Sequence, residues 1–298
     1  MRVGFLGFGL IAGSIARAIR ANPATADWAI AAWSPSGDGP SRGLAEGIVD
    51  VAAAEPEIVL PDADLVVLAA PATVCLTLID RLGGPWRPLL RADAVVTDVA
   101  STKTLIVARA DAAGLRFVGG HPMAGRETAG YGAAAADLFV DRPWIVVPGA
   151  FAGPEDTVRV ETLARACSAR VVTMEATTHD RAVAGISHLP LVVSAALVEA
   201  IAIGGDPAGV PGSASEDWPI AAGLAAGGWR DATRVARGDP VMGAAIASTN
   251  APALAARLRD LRAVLDAWLN ELERPGGPDE AAMVQRLAAA RAILDERR

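Results

Sequence analysis

The sequence predicts an α/β protein, with a doubly wound, mostly parallel sheet in the first part of the chain and an all-α domain after it. Up to residue 174, short apolar runs alternate with helical patterns, which is typical of βαβ units whose strands are covered on both faces. After Met174 no strand-like run remains, and apolar residues recur at helical spacing. The 298 residues suffice for two domains with separate cores. We therefore expect domains at residues 1–174 and 175–298.

Seven apolar runs predict the strands of the first domain. They lie at about residues 2–6, 28–33, 64–70, 94–98, 116–118, 144–147 and 170–174. The helical domain begins with Thr177 and Asp180, whose spacing of three is a capping-box signature. This signature opens a long apolar helix that ends near residue 203 and leads into a Gly/Pro/Ser-rich connection at 204–218.

A second long helix is predicted after a further helical stretch. Asn250 and Pro252 mark its start. Its apolar residues recur at spacings of four and three and form a seam, consisting of Leu254, Leu258, Leu261, Leu265, Trp268 and Leu272. Prolines and glycines at 275–278 break this helix before a last amphipathic one. The seam predicts packing against a partner helix, either within the chain or in a second copy.

The composition excludes several classes of partner. The formal net charge is −7 and the sequence pI is near 5.1, with lysine nearly absent and arginine scattered. Such a chain offers no basic surface for nucleic acid or anionic lipid. Its two cysteines, Cys75 and Cys167, have no paired spacing, so neither a disulfide framework nor a metal site is expected.

Two apolar segments could be mistaken for targeting or membrane signals. The first 20 residues contain glycines together with Arg17 and Arg20, which argues against a signal peptide. Residues 182–198 carry no formal charge, but His188 and Pro190 interrupt them and they are short for a span. We expect a buried helix there, no membrane partner and a cytoplasmic protein.

A dinucleotide-binding motif follows the first predicted strand. Gly7-Phe8-Gly9-Leu10-Ile11-Ala12 lies between that strand and a helix, which is the context that the Rossmann fingerprint requires. The first glycine permits the tight turn, the second lets the pyrophosphate approach, and the alanine keeps helix and strand close. The helix N-terminus then faces the phosphates. We therefore expect a Rossmann domain that binds NAD or NADP.

The second strand bears on the choice of coenzyme. It ends in Trp33-Ser34-Pro35-Ser36, without the carboxylate that usually binds the adenosine ribose of NAD. Hydroxyls of Ser34 and Ser36, with Arg42 nearby, favour the 2′-phosphate of NADP, although these residues also fit a simple turn. The later strand ends place Ala70, Pro71 and Asp98 beside the coenzyme as well, because ligands bind beyond the carboxyl ends of parallel strands.

Ser101 and His121 lie at the same rim, each just after a predicted strand. An imidazole beside a nicotinamide is a natural acceptor for a hydroxyl proton during hydride transfer. The other two histidines, His179 and His188, fall in the long apolar helix, where hydrogen-bonded core positions and substrate contacts are both consistent with the pattern. Arg234 follows Arg230 by one helical turn, which fits a carboxylate clamp or a surface salt bridge.

Taken in order, these motifs resemble those of the prephenate/arogenate dehydrogenase family of tyrosine biosynthesis. The matching segments are GFGLIAGS at 7–14, DVASTK at 98–103, HPMAGRETAG at 121–130, SHLP at 187–190 and GWRDATRVA at 228–236. The resemblance implies NAD(P)-dependent oxidative decarboxylation of a cyclohexadienol. In that reaction His121 takes the ring hydroxyl proton, Ser101 orients His121 or the nicotinamide, and Arg234 binds a carboxylate.

The resemblance also implies further substrate contacts and a homodimer formed through the helical domain. Glu127 corresponds to an acidic residue near the pocket entrance, and His188 and His179 are expected to contact substrate. The chain departs from the family pattern at Leu191, where a second histidine is common, and at Gly243, where a tryptophan is common. Prephenate, arogenate and an amino-deoxy analogue therefore all stay open as substrates.

Two other functions fit parts of the pattern. A different Rossmann dehydrogenase, of the β-hydroxyacid or imine-reductase type, commonly uses a lysine or aspartate in its helical domain, but no lysine follows Lys103. A non-catalytic nucleotide-sensing protein would not require both His121 and Arg234. The enzyme hypothesis predicts that these two side chains face one cavity.

Overall fold

The computed structural model describes residues 1–126, 128–203 and 215–296. The chain forms two compact units, Met1–Leu254 and Ala255–Arg298. This division differs from the boundary expected at residue 174, because the first helices after the sheet pack into the same unit as the sheet. The predicted domain boundary at 174/175 stays a prediction.

A five-stranded parallel sheet forms the centre of the first unit. Its strands are β1 (Arg2–Leu6), β2 (Ala29–Trp33), β3 (Val51–Ala52), β4 (Leu65–Leu68) and β5 (Val95–Asp98), in the order β3-β2-β1-β4-β5. β1, β4 and β5 are almost entirely buried, which explains their continuous apolar runs. The sequence missed only the two-residue β3. The predicted Rossmann-type fold class is confirmed.

Helices cover both faces of this sheet. They are α1 (Leu10–Ala21), α2 (Asp38–Ala45), α3 (Ala72–Gly83), α4 (Thr104–Ala112) and α5 (Pro154–Ala166). One apolar core contains residues of α1 and α5, and the other contains residues of α3 and α4. The two cores fix where the glycine-rich turn after β1 and the loop after β5 lie.

A three-stranded sheet consists of β6 (Val118–Pro122), β7 (Pro143–Pro148) and β8 (Arg170–Thr173). β6 runs antiparallel to β7, whereas β7 and β8 are parallel. The strand predicted at 116–118 therefore begins later and ends later than expected, with His121 inside it. Gly119 and Gly120 favoured a loop in the sequence. In the structure a Cβ on Gly120 would lie 2.5 Å from the carbonyl oxygen of Asp98, so glycine permits close approach of two strands.

The described chain after β8 is helical, as predicted. The first unit contains α6 (Ala176–Val183), a π-helical turn (Ala184–His188), α7 (Leu189–Ala202), α8 (Trp218–Leu224), α9 (Gly227–Thr233), a 3₁₀ turn (Arg234–Arg237) and α10 (Pro240–Thr249). The predicted capping box is wrong: α6 has Glu175 as its N-cap and no side-chain cap. Most of the predicted connection, 204–214, lies outside the described residues.

The continuous helical segment Ala176–Ala202 is long and apolar enough, by length and composition, to cross a membrane. We expected a buried helix here, yet only 17% of its most apolar window is buried in the single chain. In α7 only Ser194 is buried. The first half, by contrast, buries polar groups, including His179 and Asp180. Much of the apolar surface of α7 is thus not buried in the single chain.

Two helices account for the second unit. α11 (Ala251–Leu272) begins in the first unit and continues into the second, and α12 (Glu280–Asp295) follows with Asp279 as its N-cap. The guanidinium of Arg286 lies 4.1 Å from the ring centre of Trp268. Of the predicted seam, Leu254 is buried, whereas Leu265 and Leu272 are more than half exposed. Much of the seam is therefore uncovered in the single chain.

Candidate active site

The glycine-rich turn has the geometry of a pyrophosphate cradle. Gly7 has φ +97°, and a Cβ there would lie 2.2 Å from the carbonyl oxygen of Ala69, so only glycine fits. A Cβ on Gly9 would meet no atom within 4 Å. Gly9 is the N-cap of α1 and provides no side-chain cap. The open space and the uncapped amides of Leu10 and Ile11 together suit an anionic group.

Phe8 contributes backbone only to this cradle. Its side chain is 4% exposed and stacks on Tyr131 with ring centres 5.5 Å apart. A Cβ on Gly39 would lie 2.1 Å from the Phe8 carbonyl oxygen, so α2 packs directly against the turn. The aromatic ring fixes the turn from behind and is not available to a coenzyme.

A cavity of about 320 Å³ lies at the ends of β2 and β3, lined by residues 34–37, the start of α2 and residues 52–54. The hydroxyl of Ser34 is buried and makes no hydrogen bond within the described chain. The Ser36 hydroxyl accepts from the Asp38 amide at 3.4 Å. Arg42 is not part of this lining, because its guanidinium lies over the Tyr131 ring at 5.5 Å. The cavity thus offers one unsatisfied hydroxyl where an adenosine ribose is expected.

The ends of β4 and β5 differ in what they offer a coenzyme. Ala70 and Pro71 are half-buried, and Pro71 is the N-cap of α3. Asp98 is completely buried, and its carboxylate accepts from the amides of Ala100 and Gly120 and pairs with the ammonium of Lys103. The Asp98 carboxylate is therefore engaged by the protein and holds β5, β6 and the start of α4 together.

His121 lies beyond the end of β5. Phe117 pairs with Val96 in parallel register. Counting four residues onward along both segments places His121 level with residue 100. Its Nδ1 is 2.8 Å from Nε2 of His179, and the rings meet edge to face. Burial, reinforced by His179 and then Lys103, holds the pKa of His121 well below 6.5. His121 is thus a neutral imidazole at neutral pH.

His179 continues this contact toward a carboxylate. Its Nδ1 is 2.8 Å from Oδ1 of Asp180, and the side chain is 1% exposed. Both ring nitrogens are taken by protein groups, so the hydrogen bond to substrate that we expected of His179 is not open to it. The geometry instead makes His179 a link between His121 and Asp180.

Asp180 caps a helix other than its own. Oδ1 accepts from the Lys103 amide and Oδ2 from the Thr104 amide, each at 2.8 Å, at the start of α4. Burial alone would raise the pKa of Asp180, but hydrogen bonds from His179, Thr104 and Lys103 lower it to about 2. Asp180 therefore satisfies the amides of α4, which is remote in sequence, and not those of its own helix.

His188 forms a second buried polar group in the π-helical turn. Its Nδ1 is 3.1 Å from Nδ2 of Asn250, which also donates to the Asp180 carbonyl oxygen at 2.9 Å. Burial lowers the pKa of His188 to about 4, although the carboxylate of Asp180 and the Ser101 carbonyl act in the opposite sense. Nε2 of His188 makes no hydrogen bond among the residues described.

Two comparisons in sequence identify the family. The model of the prephenate dehydrogenase nucleotide-binding domain matches residues 15–173, and that of the prephenate dehydrogenase dimerization domain matches residues 175–282. The prephenate dehydrogenase of Bacillus subtilis is 30% identical over 272 residues, covering 90% of this chain and 67% of that enzyme. The chain belongs to the prephenate dehydrogenase family.

Solved structures that are similar to this chain support the same family. The arogenate dehydrogenase of Synechocystis is 31% identical with a TM-score of 0.76, over 99% of this chain and 100% of that one. A prephenate dehydrogenase from A. aeolicus, in complex with hydroxyphenyl propionate and NAD⁺, is 25% identical with a TM-score of 0.84, over 100% and 98%. The predicted family and the predicted prephenate/arogenate dehydrogenase type of activity are confirmed, and with them a nicotinamide dinucleotide as coenzyme.

The cradle fits the coenzyme that this family implies. Gly7, Gly9 and the first turn of α1 would hold the pyrophosphate, and the cavity beside Ser34 would hold the adenosine end. Ser101 is half-buried in the loop after β5, and no hydrogen bond involves its hydroxyl in the described part of the chain. The next residue, Thr102, is buried and bonds Thr249 at 2.9 Å, which ties this loop to α10.

Two further predicted site residues are Arg234 and Glu127. Arg234 begins the 3₁₀ turn after α9 and is exposed. Ser194 anchors this turn on α7 through the Ala232 carbonyl and the Ala236 amide. Glu127 lies outside the described residues. The predicted meeting of Arg234 and His121 in one cavity stays a prediction.

Sequence reasoning missed three polar residues of this site. Lys103, Asp180 and Asn250 are all buried and tie the loop after β5 to the helices. One signal was available: Lys103 is the only lysine among 298 residues, an unusual choice in a chain that otherwise uses arginine. Local patterns marked the other two only as parts of helix starts, because their partners in the site are distant in sequence.

Proposed function

We propose that the protein catalyses the NAD(P)-dependent oxidative decarboxylation of prephenate or a close cyclohexadienol analogue, with His121 as general base. The observation that carries this proposal is the state of His121: a buried, neutral imidazole at the end of β6, with Nδ1 held by His179. A neutral imidazole can accept a proton, and general-base help contributes about 10²- to 10⁴-fold in rate.

In the proposed reaction, His121 Nε2 takes the proton of the ring hydroxyl while the hydrogen at the same carbon leaves as hydride. The nicotinamide, when bound, accepts that hydride. The ring ketone that results is an electron sink, so the bond to the ring carboxylate breaks and CO₂ departs. Its electron pair makes the ring aromatic, and the phenolic oxygen takes a proton back from the His121 imidazolium. Burial of His121 excludes competing water from this exchange.

We propose that Arg234 binds a substrate carboxylate and that Glu127 and His188 complete the substrate contacts. Ser101 is assigned to orienting His121 or the nicotinamide. The two departures from the family pattern lie together: a Cβ on Gly243 would be 3.5 Å from Cδ2 of Leu191. A small residue beside an apolar one, in place of tryptophan and histidine, supports a substrate that need not be prephenate itself.

We propose NADP over NAD as the preferred coenzyme. The support is the unsatisfied Ser34 hydroxyl in the cavity at the end of β2 and the lack of a carboxylate in the 34–37 turn. Ser36 adds a second hydroxyl. Arg42 gives no support to this preference, because it stacks on Tyr131.

We propose a homodimer formed through the helical part of the chain. The support is the half-exposed apolar surface of α7, the exposed leucines of α11 and the matched dimerization-domain model. A second copy would cover this surface, which makes a membrane or nucleic-acid partner unnecessary. Cys75 and Cys167 are free and buried, which suits a reducing cytoplasm.

The test is a spectrophotometric screen of prephenate, arogenate and 4-amino-4-deoxyprephenate with NAD and with NADP. We expect one of the three to reduce coenzyme with loss of CO₂. His121→Asn serves as the matched protein control, because it retains the cradle and removes the base. Coenzyme binding without reduction by any of the three substrates would overturn the proposal and favour a nucleotide-sensing protein.

A further inference from the structure

We infer that Asp180 and His179 act as a positioning pair that holds His121 in the tautomer whose Nε2 carries no proton. This inference rests on the proposed role of His121. It assigns a function to two residues that have no place in the coenzyme cradle or in the proposed substrate contacts.

The first step is the state of Asp180. Its two carboxylate oxygens accept three hydrogen bonds, from the amides of Lys103 and Thr104 and from His179. Backbone amides can only donate, so both oxygens present lone pairs. Although burial opposes it, these hydrogen bonds lower the pKa of Asp180 to about 2, so the group is ionised at neutral pH. An ionised carboxylate is an acceptor alone, and the His179 Nδ1 that faces Oδ1 at 2.8 Å must therefore carry the proton.

The second step passes through the two rings. A neutral imidazole with a proton on Nδ1 has a lone pair on Nε2. With His179 in this uncharged form, its Nε2 is an acceptor, and Nδ1 of His121, 2.8 Å away, is the donor. His121 then has its lone pair on Nε2, the nitrogen with no hydrogen bond among the described residues. The fixed amides at the start of α4 set this tautomer through two consecutive hydrogen bonds.

The same contacts act once His121 has taken a proton. The imidazolium retains its Nδ1–H bond to Nε2 of His179, and the negative charge of Asp180 lies one ring further on. The other ionisable groups that lower the pKa of His121 are Lys103 and His188. In their presence an unsupported imidazolium would be costly in this buried site, so the Asp180–His179 pair offsets part of that cost during the proton transfer.

The experiment compares His179→Phe and His179→Gln with Thr25→Val. Phenylalanine retains a ring but no acceptor, and glutamine restores an acceptor for His121 Nδ1–H. Thr25→Val is the control, because it removes a buried hydrogen bond to the Ile19 carbonyl oxygen that is not part of the proposed site. We expect kcat to fall about 10²-fold or more in the phenylalanine variant, with KM for substrate and Kd for coenzyme changed less than threefold. The kcat of the glutamine variant should be at least tenfold higher than that of the phenylalanine variant, and Thr25→Val should retain wild-type kcat.

A spectroscopic arm reads the tautomer directly. Two-bond ¹H–¹⁵N correlation spectra of the free enzyme contain signals from only three histidines, so assignment by substitution is straightforward. We expect protonated Nδ1 and unprotonated Nε2 for both His121 and His179, and loss of this pattern for His121 in the phenylalanine variant. The opposite tautomer in the wild type, or wild-type kcat in His179→Phe, would overturn the inference. Full activity of His121→Asn would instead overturn the proposed base and leave the tautomer assignment standing.

Discussion

The side-chain amide of Asn250 lies 3.1 Å from Nδ1 of His188 and 2.9 Å from the carbonyl oxygen of Asp180. A carbonyl oxygen only accepts, so the Asn250 nitrogen faces both partners, and the neutral His188 must have its proton on Nε2. One residue at the start of α11 thus sets the state of a histidine on the π-helical turn.

Asn250→Ala should destabilise the protein by about 1–3 kcal/mol, because it leaves the buried Asp180 carbonyl and His188 Nδ1 without a donor. Urea unfolding followed by circular dichroism measures this free energy. Asn270→Ala, at an exposed position of α11, is the control and should change stability by less than about 0.5 kcal/mol. Equal stability of the two variants would contradict the buried donor role.

His121→Asn should bind coenzyme normally and lose about 10²- to 10⁴-fold in kcat. The substitution removes the proton acceptor and leaves the glycine cradle intact. Coenzyme Kd from fluorescence titration and kcat from coenzyme reduction separate the two effects. A variant that turns over at the wild-type rate would exclude His121 as the base.

Arg234→Ala should raise the substrate KM with little change in coenzyme binding, at a cost of about 2–3 kcal/mol if one charge-assisted pair with a carboxylate is lost. Arg230→Ala is the matched control, because Arg230 is also exposed and lies one helical turn away. If both variants have the same KM as the wild type, Arg234 has a structural role only.

Lys103→Met should destabilise the protein by about 3–5 kcal/mol, since it leaves the buried Asp98 carboxylate without its counter-ion. Chemical denaturation provides the measurement. Arg109→Ala breaks the exposed pair with Asp80 and should cost less than about 1 kcal/mol. A similar loss in both variants would show that the Lys103–Asp98 pair is weak.

Stability should fall as the pH decreases from 7.5 to 5. The pKa of His188 drops from 6.5 to about 4 on folding, and that of His121 also drops, so the unfolded chain binds more protons below pH 6.5. The stability present above pH 6.5 is therefore lost as the pH falls, by about 2 kcal/mol at pH 5 for His188 alone. Denaturation midpoints that do not vary over this interval would contradict the buried, neutral state.

The strands and the glycine cradle could be predicted from sequence, because their signals are local. β1 and the turn at Gly7 depend on neighbours within a few residues, as does the helix that begins at Leu10. Prediction from local patterns failed where a residue contacts a partner that is distant in the sequence. Gly120 resembles a loop glycine until β5 is known to pass 2.5 Å from its added Cβ.

The polar residues of the site show the same limit. Asp180 was assigned to its own helix, whereas it caps α4, which begins 76 residues earlier. His179 was expected to contact substrate, since nothing local indicates that Asp180 and His121 occupy both of its nitrogens. The histidines could be chosen as candidate site residues from the sequence. The role of each one depends on tertiary contacts, which the sequence does not reveal.

The buried ammonium of Lys103 makes the folded protein unusual toward acylating reagents. As the only lysine side chain, completely enclosed and ion-paired, it is shielded as long as β5 and α4 stay together. Acylation at this position therefore requires transient opening of the segment, and its rate under native conditions reports the free energy of that opening. Acylation of the Lys103 side chain can thus be used to measure local unfolding of the segment whose amide at Lys103 binds Asp180.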